Sequence, residues 1–115
     1  MFFTLNYNAT VADVAADADP TSGAAVYDSV RYDNKTGWYK VGGTSFASPL
    51  VASIFANSAK LSSKTQAGSF LYGLTTSHFH DVTTGNNGTC SPSYFCKAGK
   101  GFDGPTGLGT PYGAF

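Results

Sequence analysis

Apolar positions along the chain fall into short alternating or helical runs separated by stretches rich in glycine, serine, asparagine and proline. Residues 1–12 carry no strong period, and 13–23 ends in a Pro/Gly turn. Residues 24–28 then predict a strand, 33–37 is turn chemistry, and 38–41 predicts a second strand pairing with the first as a hairpin, with Trp38 and Tyr39 as its core residues. Gly42, Gly43 and Thr44 break that strand. From about Ser45 the residues Phe46, Leu50, Val51, Ile54 and Phe55 recur at helical spacing, and the small residues between them (Ala47, Ser48, Ala52, Ser53, Ala56) predict a helix buried on most sides. A second helix is expected from 63 or 64 to about 74, with Ser62 or Ser63 as N-cap and Gly73 near its end. Beyond Thr75 the pattern dissolves into a glycine-rich stretch over 81–115, a length of loop that is normally functional or tied down.

Composition narrows the possibilities. At 115 residues the chain is one domain or a piece of one. Seven basic and seven acidic residues balance to a net charge of 0, which removes any electrostatic case for nucleic acid or an acidic membrane surface as partner. All seven acids are aspartates, so the chain contains no glutamate. No apolar run approaches the ~20 residues that cross a bilayer, and the first residues lack the basic and apolar regions of a signal peptide. Cys90 and Cys96 sit in one Gly/Ser/Pro-rich loop and suit a local disulfide better than a four-ligand metal site, which points to an oxidising compartment. Glycosylation sequons at Asn8, Asn34 and Asn87 are compatible with export.

The segment Gly42-Gly43-Thr44-Ser45-Phe46-Ala47-Ser48-Pro49 places a serine at a strand-to-helix junction, behind two glycines that permit close backbone approach. A hydroxyl at a helix N-terminus lies beside unsatisfied N–H groups and the positive dipole end, where negative charge developing on an attacked carbonyl is stabilised. The same residues also suit a Ser or Thr that simply caps a core helix. The longer string, Gly-Thr-Ser-x-Ala-Ser-Pro before a small and apolar helix, resembles the nucleophile segment of the subtilisin-like clan. In subtilisins the histidine precedes the serine, whereas His78 and His80 both follow Ser45. The doubled glycine and the segment Val11-Ala12-Asp13-Val14-Ala15-Ala16-Asp17-Ala18-Asp19-Pro20 resemble instead the sedolisins, the serine-carboxyl peptidases of family S53. That resemblance implies a serine nucleophile, here Ser45, a glutamate base oriented by an aspartate, and a further aspartate completing the oxyanion hole.

A second stretch, His80-Asp81-Val82-Thr83 with Lys97-Ala98-Gly99-Lys100-Gly101-Phe102-Asp103-Gly104-Pro105-Thr106-Gly107-Leu108-Gly109-Thr110-Pro111, is similar to the calcium site that closes sedolisin domains. Position by position, the resemblance implies the side chains of Asp81 and Asp103 and the carbonyls of Val82, Gly99 and Gly101 as ligands of one Ca²⁺, a set of hard oxygens that suits this ion with water completing about six. His78 and His80 are expected to be core or loop residues, and Asp17 and Asp19 to hold a structural turn before Pro20.

The implied fold is α/β, the C-terminal portion of a subtilisin-like three-layer architecture with a mainly parallel sheet, here including a hairpin, the nucleophile helix and the calcium loop. Residues 1–115 read as a partial domain, with 1–10 matching poorly. The family's glutamate base and its partner aspartates fall upstream of this chain, so the expected function is serine-type endopeptidase chemistry through Ser45 in a chain inactive alone. The expected partner is a protein or peptide substrate, with no nucleic acid or membrane, and the parent enzyme is expected to be secreted. Two further readings remain open: a non-catalytic, calcium-stabilised binding domain, and a subtilisin-like piece, for which an upstream histidine and no calcium loop are expected.

Overall fold

The computed structural model describes residues 12–58 and 66–115. Strands β1 (Ala24–Tyr32) and β2 (Lys35–Val41) form the hairpin. Asp33 and Asn34 turn it with left-handed φ of 48° and 60°, the backbone a two-residue hairpin turn demands and these two residue types tolerate. Both strands outrun the predicted 24–28 and 38–41. Pairing runs from Ala24↔Val41 to Asp28↔Gly37 and resumes at Tyr32↔Lys35 after an irregularity in which β1 carries extra residues. Trp38 is not a core residue: it is 65% exposed, its ring set edge-on to Tyr27 at 5.4 Å. Among the described residues no layer covers this hairpin, so aromatic strand positions that signal burial in a sandwich stand here in solvent. Tyr39 is half-buried and donates its hydroxyl to the carbonyls of Tyr32 and Lys35.

Helix α1 (Thr44–Ala56) follows directly. Its buried stripe is Ala47, Val51 and Phe55, spaced four apart on one face, while Leu50, Ala52, Ser53 and Ala56 are exposed. Burial on most sides is therefore not found; packing among the described residues comes from one side. Helix α2 (Ala67–Tyr72) ends at Gly73 as expected, and Gln66 stands at its N-cap. The proposed start at Ser63 or Lys64, the caps Ser62 and Ser63, and residues 1–10 lie outside the described residues.

Val14, Val51, Phe55 and Leu71 make the core, joined by Phe70, Leu74, Phe79, Leu108 and Phe115. Phe115 sits 5.4 Å from Phe55, 5.8 Å from Phe70 and 5.9 Å from Phe79, and its carbonyl accepts the Ser58 hydroxyl at 3.1 Å. Strands β3 (Phe79–His80) and β4 (Thr110–Pro111) pair antiparallel and bring the two ends of the 81–109 loop together. Inside that loop the Cys90–Cys96 disulfide is formed, Ala98 donates to Gly85, and Gly104 donates to Tyr94. The protein is thus mixed α/β, with two short antiparallel sheets. The expected mainly parallel sheet is not seen among the described residues: parallel neighbours need a crossover connection, and the pairs here are a hairpin and a loop closure.

Leu71 is fully buried, so Leu71→Ala is expected to lower the unfolding free energy by about 2–5 kcal/mol, whereas Trp38→Ala is expected to change it by roughly 0.5 kcal/mol. Denaturant unfolding of both variants checks the contrast, and equal losses contradict it.

Candidate functional site

The turn that carries Ser45 is held from below by a turn over 17–23. The Gly43 amide donates to the Ala18 carbonyl at 2.7 Å, and the Gly23 amide donates to the Asp19 carbonyl at 2.9 Å. A Cβ on Gly42 would stand 2.4 Å from the Pro20 Cα, so only glycine fits where the two backbones stack. Asp17 and Asp19 are the structural residues expected. Asp17 accepts from the Asp19 amide (2.8 Å) and the Ser22 hydroxyl (2.6 Å), and Asp19 accepts from the Thr21 amide (2.8 Å).

Above this clamp, Gly43 rather than a Ser or Thr side chain caps α1, its carbonyl accepting from the Phe46 and Ala47 amides at 3.0 and 3.1 Å. Ser45 is therefore not a capping hydroxyl. It is exposed on the first turn, beside the open amide end of the helix. Pro49 lies four residues on and has no N–H, so the Ser45 carbonyl also lacks its helical donor. Among the described residues no side chain is hydrogen-bonded to the Ser45 hydroxyl, and no glutamate exists in the chain to act as its base. His78 is occupied elsewhere: its Nδ1 is bonded to the Thr75 hydroxyl at 3.0 Å and its ring packs on Phe115.

At the other end, β3 delivers Asp81 and Val82 beside the 99–103 segment. Asp81 Oδ2 accepts from the Gly101 amide at 2.9 Å, while its Oδ1 is buried without a partner. Asp103 is 3% exposed; its Oδ2 accepts from the Gly99 amide and its Oδ1 from both the amide and the hydroxyl of Thr106, each at 2.8 Å. A carboxylate offers about four lone-pair positions, so both aspartates retain acceptor capacity. The carbonyls of Val82, Gly99 and Gly101 accept no hydrogen bond among the described residues. The structure thus draws the two carboxylates of the expected ligand set onto one short segment, and leaves oxygen on all five residues for a hard cation. No group of three His, Cys or Asp side chains gathers among the described residues, so an ion here depends on backbone carbonyls.

Comparison with known proteins bears on both sites. No family model matches the chain. It is 39% identical over 105 residues to kumamolisin of a Bacillus species, covering 90% of this chain and 18% of that protein. It is 36% identical over 103 residues to sedolisin of a Pseudomonas species, covering 85% of this chain and 16% of that protein. To tripeptidyl-peptidase sed1 of Aspergillus fumigatus it is 37% identical over 93 residues, covering 76% and 14%. The chain is a sedolisin-family C-terminal region. It spans less than a fifth of the length of these relatives.

Within this sedolisin region one functional-looking carboxylate escapes a reading of the sequence. Asp13 is 1% exposed; its Oδ1 accepts the Tyr72 hydroxyl at 2.7 Å and its Oδ2 is buried without a partner. Burial, and next the Asp13 carboxylate, push the Tyr72 phenol well above its ordinary pKa, so it stays protonated and donating. The Asp13 carbonyl accepts the Leu108 amide at 2.8 Å, and a Cβ on Gly107 would stand 2.2 Å from that oxygen. The partner of Asp13 lies 59 residues away, and no local pattern announces such a pair.

Proposed function

We propose that this chain supplies the nucleophile and a calcium-closed loop to a serine endopeptidase of the sedolisin type. The observation that carries the reading is Ser45 itself: exposed on the first turn of α1, not used as a cap, and seated on a glycine pair clamped from beneath, in a chain whose relatives are sedolisin-family peptidases. In this reaction the Ser45 hydroxyl attacks the scissile carbonyl of a protein or peptide substrate. Its proton passes to a carboxylate base provided by a part of the catalytic domain other than these 115 residues, and then to the departing amine. Water next cleaves the acyl-serine ester by the same route in reverse. The open amides at the start of α1 face the charge that develops on the attacked oxygen.

A carboxylate base suits acid. An ordinary glutamate titrates near pH ~4.3 and a histidine near ~6.5, so below pH ~6 an imidazole is protonated while a carboxylate still accepts a proton. A Ca²⁺ held by Asp81, Asp103 and the carbonyls of Val82, Gly99 and Gly101 would neutralise the two carboxylates and lock the loop, and would take no part in bond breaking. The disulfide is consistent with a secreted parent enzyme. The alternative reading is a non-catalytic, calcium-stabilised binding domain.

Two measurements test these readings. Joined to the glutamate-bearing part of a sedolisin-family domain, the chain is expected to cleave a casein-type substrate between about pH 3 and 6. The 115 residues alone are expected to be inactive, and Ser45→Ala in the joined enzyme to lose at least ~10³-fold in kcat. Cleavage that survives Ser45→Ala contradicts the nucleophile, and no cleavage by the joined wild type favours the binding domain. Separately, Ca²⁺ at about 100 times its Kd is expected to add about 2.7 kcal/mol of stability relative to EGTA. That gain is expected to vanish in Asp103→Ala, and equal midpoints in Ca²⁺ and EGTA for the unaltered chain contradict the site.

A further inference from the structure

The turn over 17–23 touches the nucleophile segment at its two most sensitive points. Its Ala18 carbonyl takes the Gly43 amide, and its Pro20 backbone stacks on Gly42 with no space for a side chain. Gly43 is the cap of α1, so whatever fixes Gly43 fixes the first turn on which Ser45 stands. The turn in turn is closed by Asp17, which reaches forward to the Asp19 amide with one oxygen and to the Ser22 hydroxyl with the other. A cross-link from Lys40, whose Nζ donates to the Thr21 carbonyl at 2.9 Å, ties the same turn to β2.

We propose that Asp17 is a positioning residue for Ser45: its two hydrogen bonds hold the Ala18 carbonyl and Pro20 in place, and these set where the Gly42-Gly43 pair presents the nucleophile. The inference rests on Ser45 being the nucleophile. Asp17 touches no reacting atom and acts through the turn. Its chemistry also suits acid. The Ser22 hydroxyl first, and the Asp19 amide second, hold Asp17 below the ordinary aspartate range, opposed by the neighbouring Asp19 charge. Asp19 is lowered likewise by Thr21, with Lys40 assisting. A carboxylate with a depressed folded-state pKa contributes stability above its unfolded value of about 3.9 and loses it only as pH falls through the lowered value. The lowered pKa carries the clamp further into acid than an ordinary aspartate would.

Two readouts test this on the full chain and on the joined enzyme. By amide hydrogen exchange of the 115-residue chain, Asp17→Ala is expected to speed exchange of the Gly43 amide about tenfold or more. The Gly107 amide, bonded to the Asp103 carbonyl at 2.9 Å, is the reference and is expected not to move. Asp17→Asn keeps an acceptor for the Asp19 amide and places an amide NH₂ where it donates to Ser22, so it is expected to restore most of the Gly43 protection. In the joined enzyme Asp17→Ala is expected to lower kcat about 10- to 100-fold with KM within about twofold, again rescued by Asp17→Asn. Unchanged Gly43 exchange in Asp17→Ala overturns the clamp. Parallel loosening of Gly43 and Gly107, or kcat and KM moving together without rescue, overturns positioning in favour of a general structural role. If the joined wild type cleaves nothing, the nucleophile reading fails and the catalytic half of this inference fails with it, while Gly43 exchange still decides the clamp.

Discussion

Backbone stacked on backbone, with no space for a Cβ between, is the constraint on which the rest of this structure depends. It occurs where Gly107 lies on the Asp13 carbonyl and where Gly42 lies on Pro20. The first contact, with the Leu108 amide donating to Asp13 and the Ala15 amide to Gly109, fastens residues 12–15 to the closing loop. Val14 is thereby delivered into the core against Val51, Phe55 and Leu71. The second contact fastens the 17–23 turn beneath the turn that carries Ser45. Any side chain at either glycine separates the two segments, because a Cβ approaching backbone within 3 Å forces one of them to shift.

Between these two contacts the chain organises its chemistry. One segment, 12–20, braces the closing loop with its first half and the serine turn with its second. The loop contributes two carboxylates of unlike surroundings: Asp103 is buried and held by three donors, whereas Asp81 keeps a buried oxygen without a partner. A buried unpartnered carboxylate oxygen is costly unless something satisfies it, and the proposed Ca²⁺ would satisfy it together with the neighbouring carbonyls. A cavity of about 130 Å³ beside Asp81, walled by Leu71, Tyr72, Phe79, Phe102 and Leu108, keeps that carboxylate against apolar surface. Ser45, in contrast, stands in the open, in a chain without glutamate.

How much of this was legible in the sequence depends on range. The hairpin was legible because Asp33 and Asn34 are local turn chemistry, and α1 because Gly42-Gly43 stops a strand just where a helical period begins. The end of α2 at Gly73 was legible for the same local reason. Trp38 was misread because an aromatic in a strand signals burial only when a second layer arrives to cover it, and that layer is not encoded in the hairpin. The burial of α1 on one side only is likewise a matter of which elements pack on it, which its own small and apolar residues do not announce. Asp81, Asp103 and the three glycine or valine carbonyls came from likeness to a family, not from spacing. What grips Asp103, the amide and hydroxyl of Thr106, and what grips Asp13, the phenol of Tyr72, are tertiary facts with no periodic signature.

The central claim is that Ser45 is the atom donor of the covalent step, presented by a glycine pair that the 17–23 turn holds down. Trapping the intermediate tests it most directly. The joined, glutamate-bearing enzyme is mixed with a slowly deacylating peptide ester, quenched in acid, digested and read by mass spectrometry. The account predicts a single acyl adduct on the Ser45 hydroxyl, absent in Ser45→Ala. An adduct on another residue of an enzyme that still cleaves peptide contradicts it.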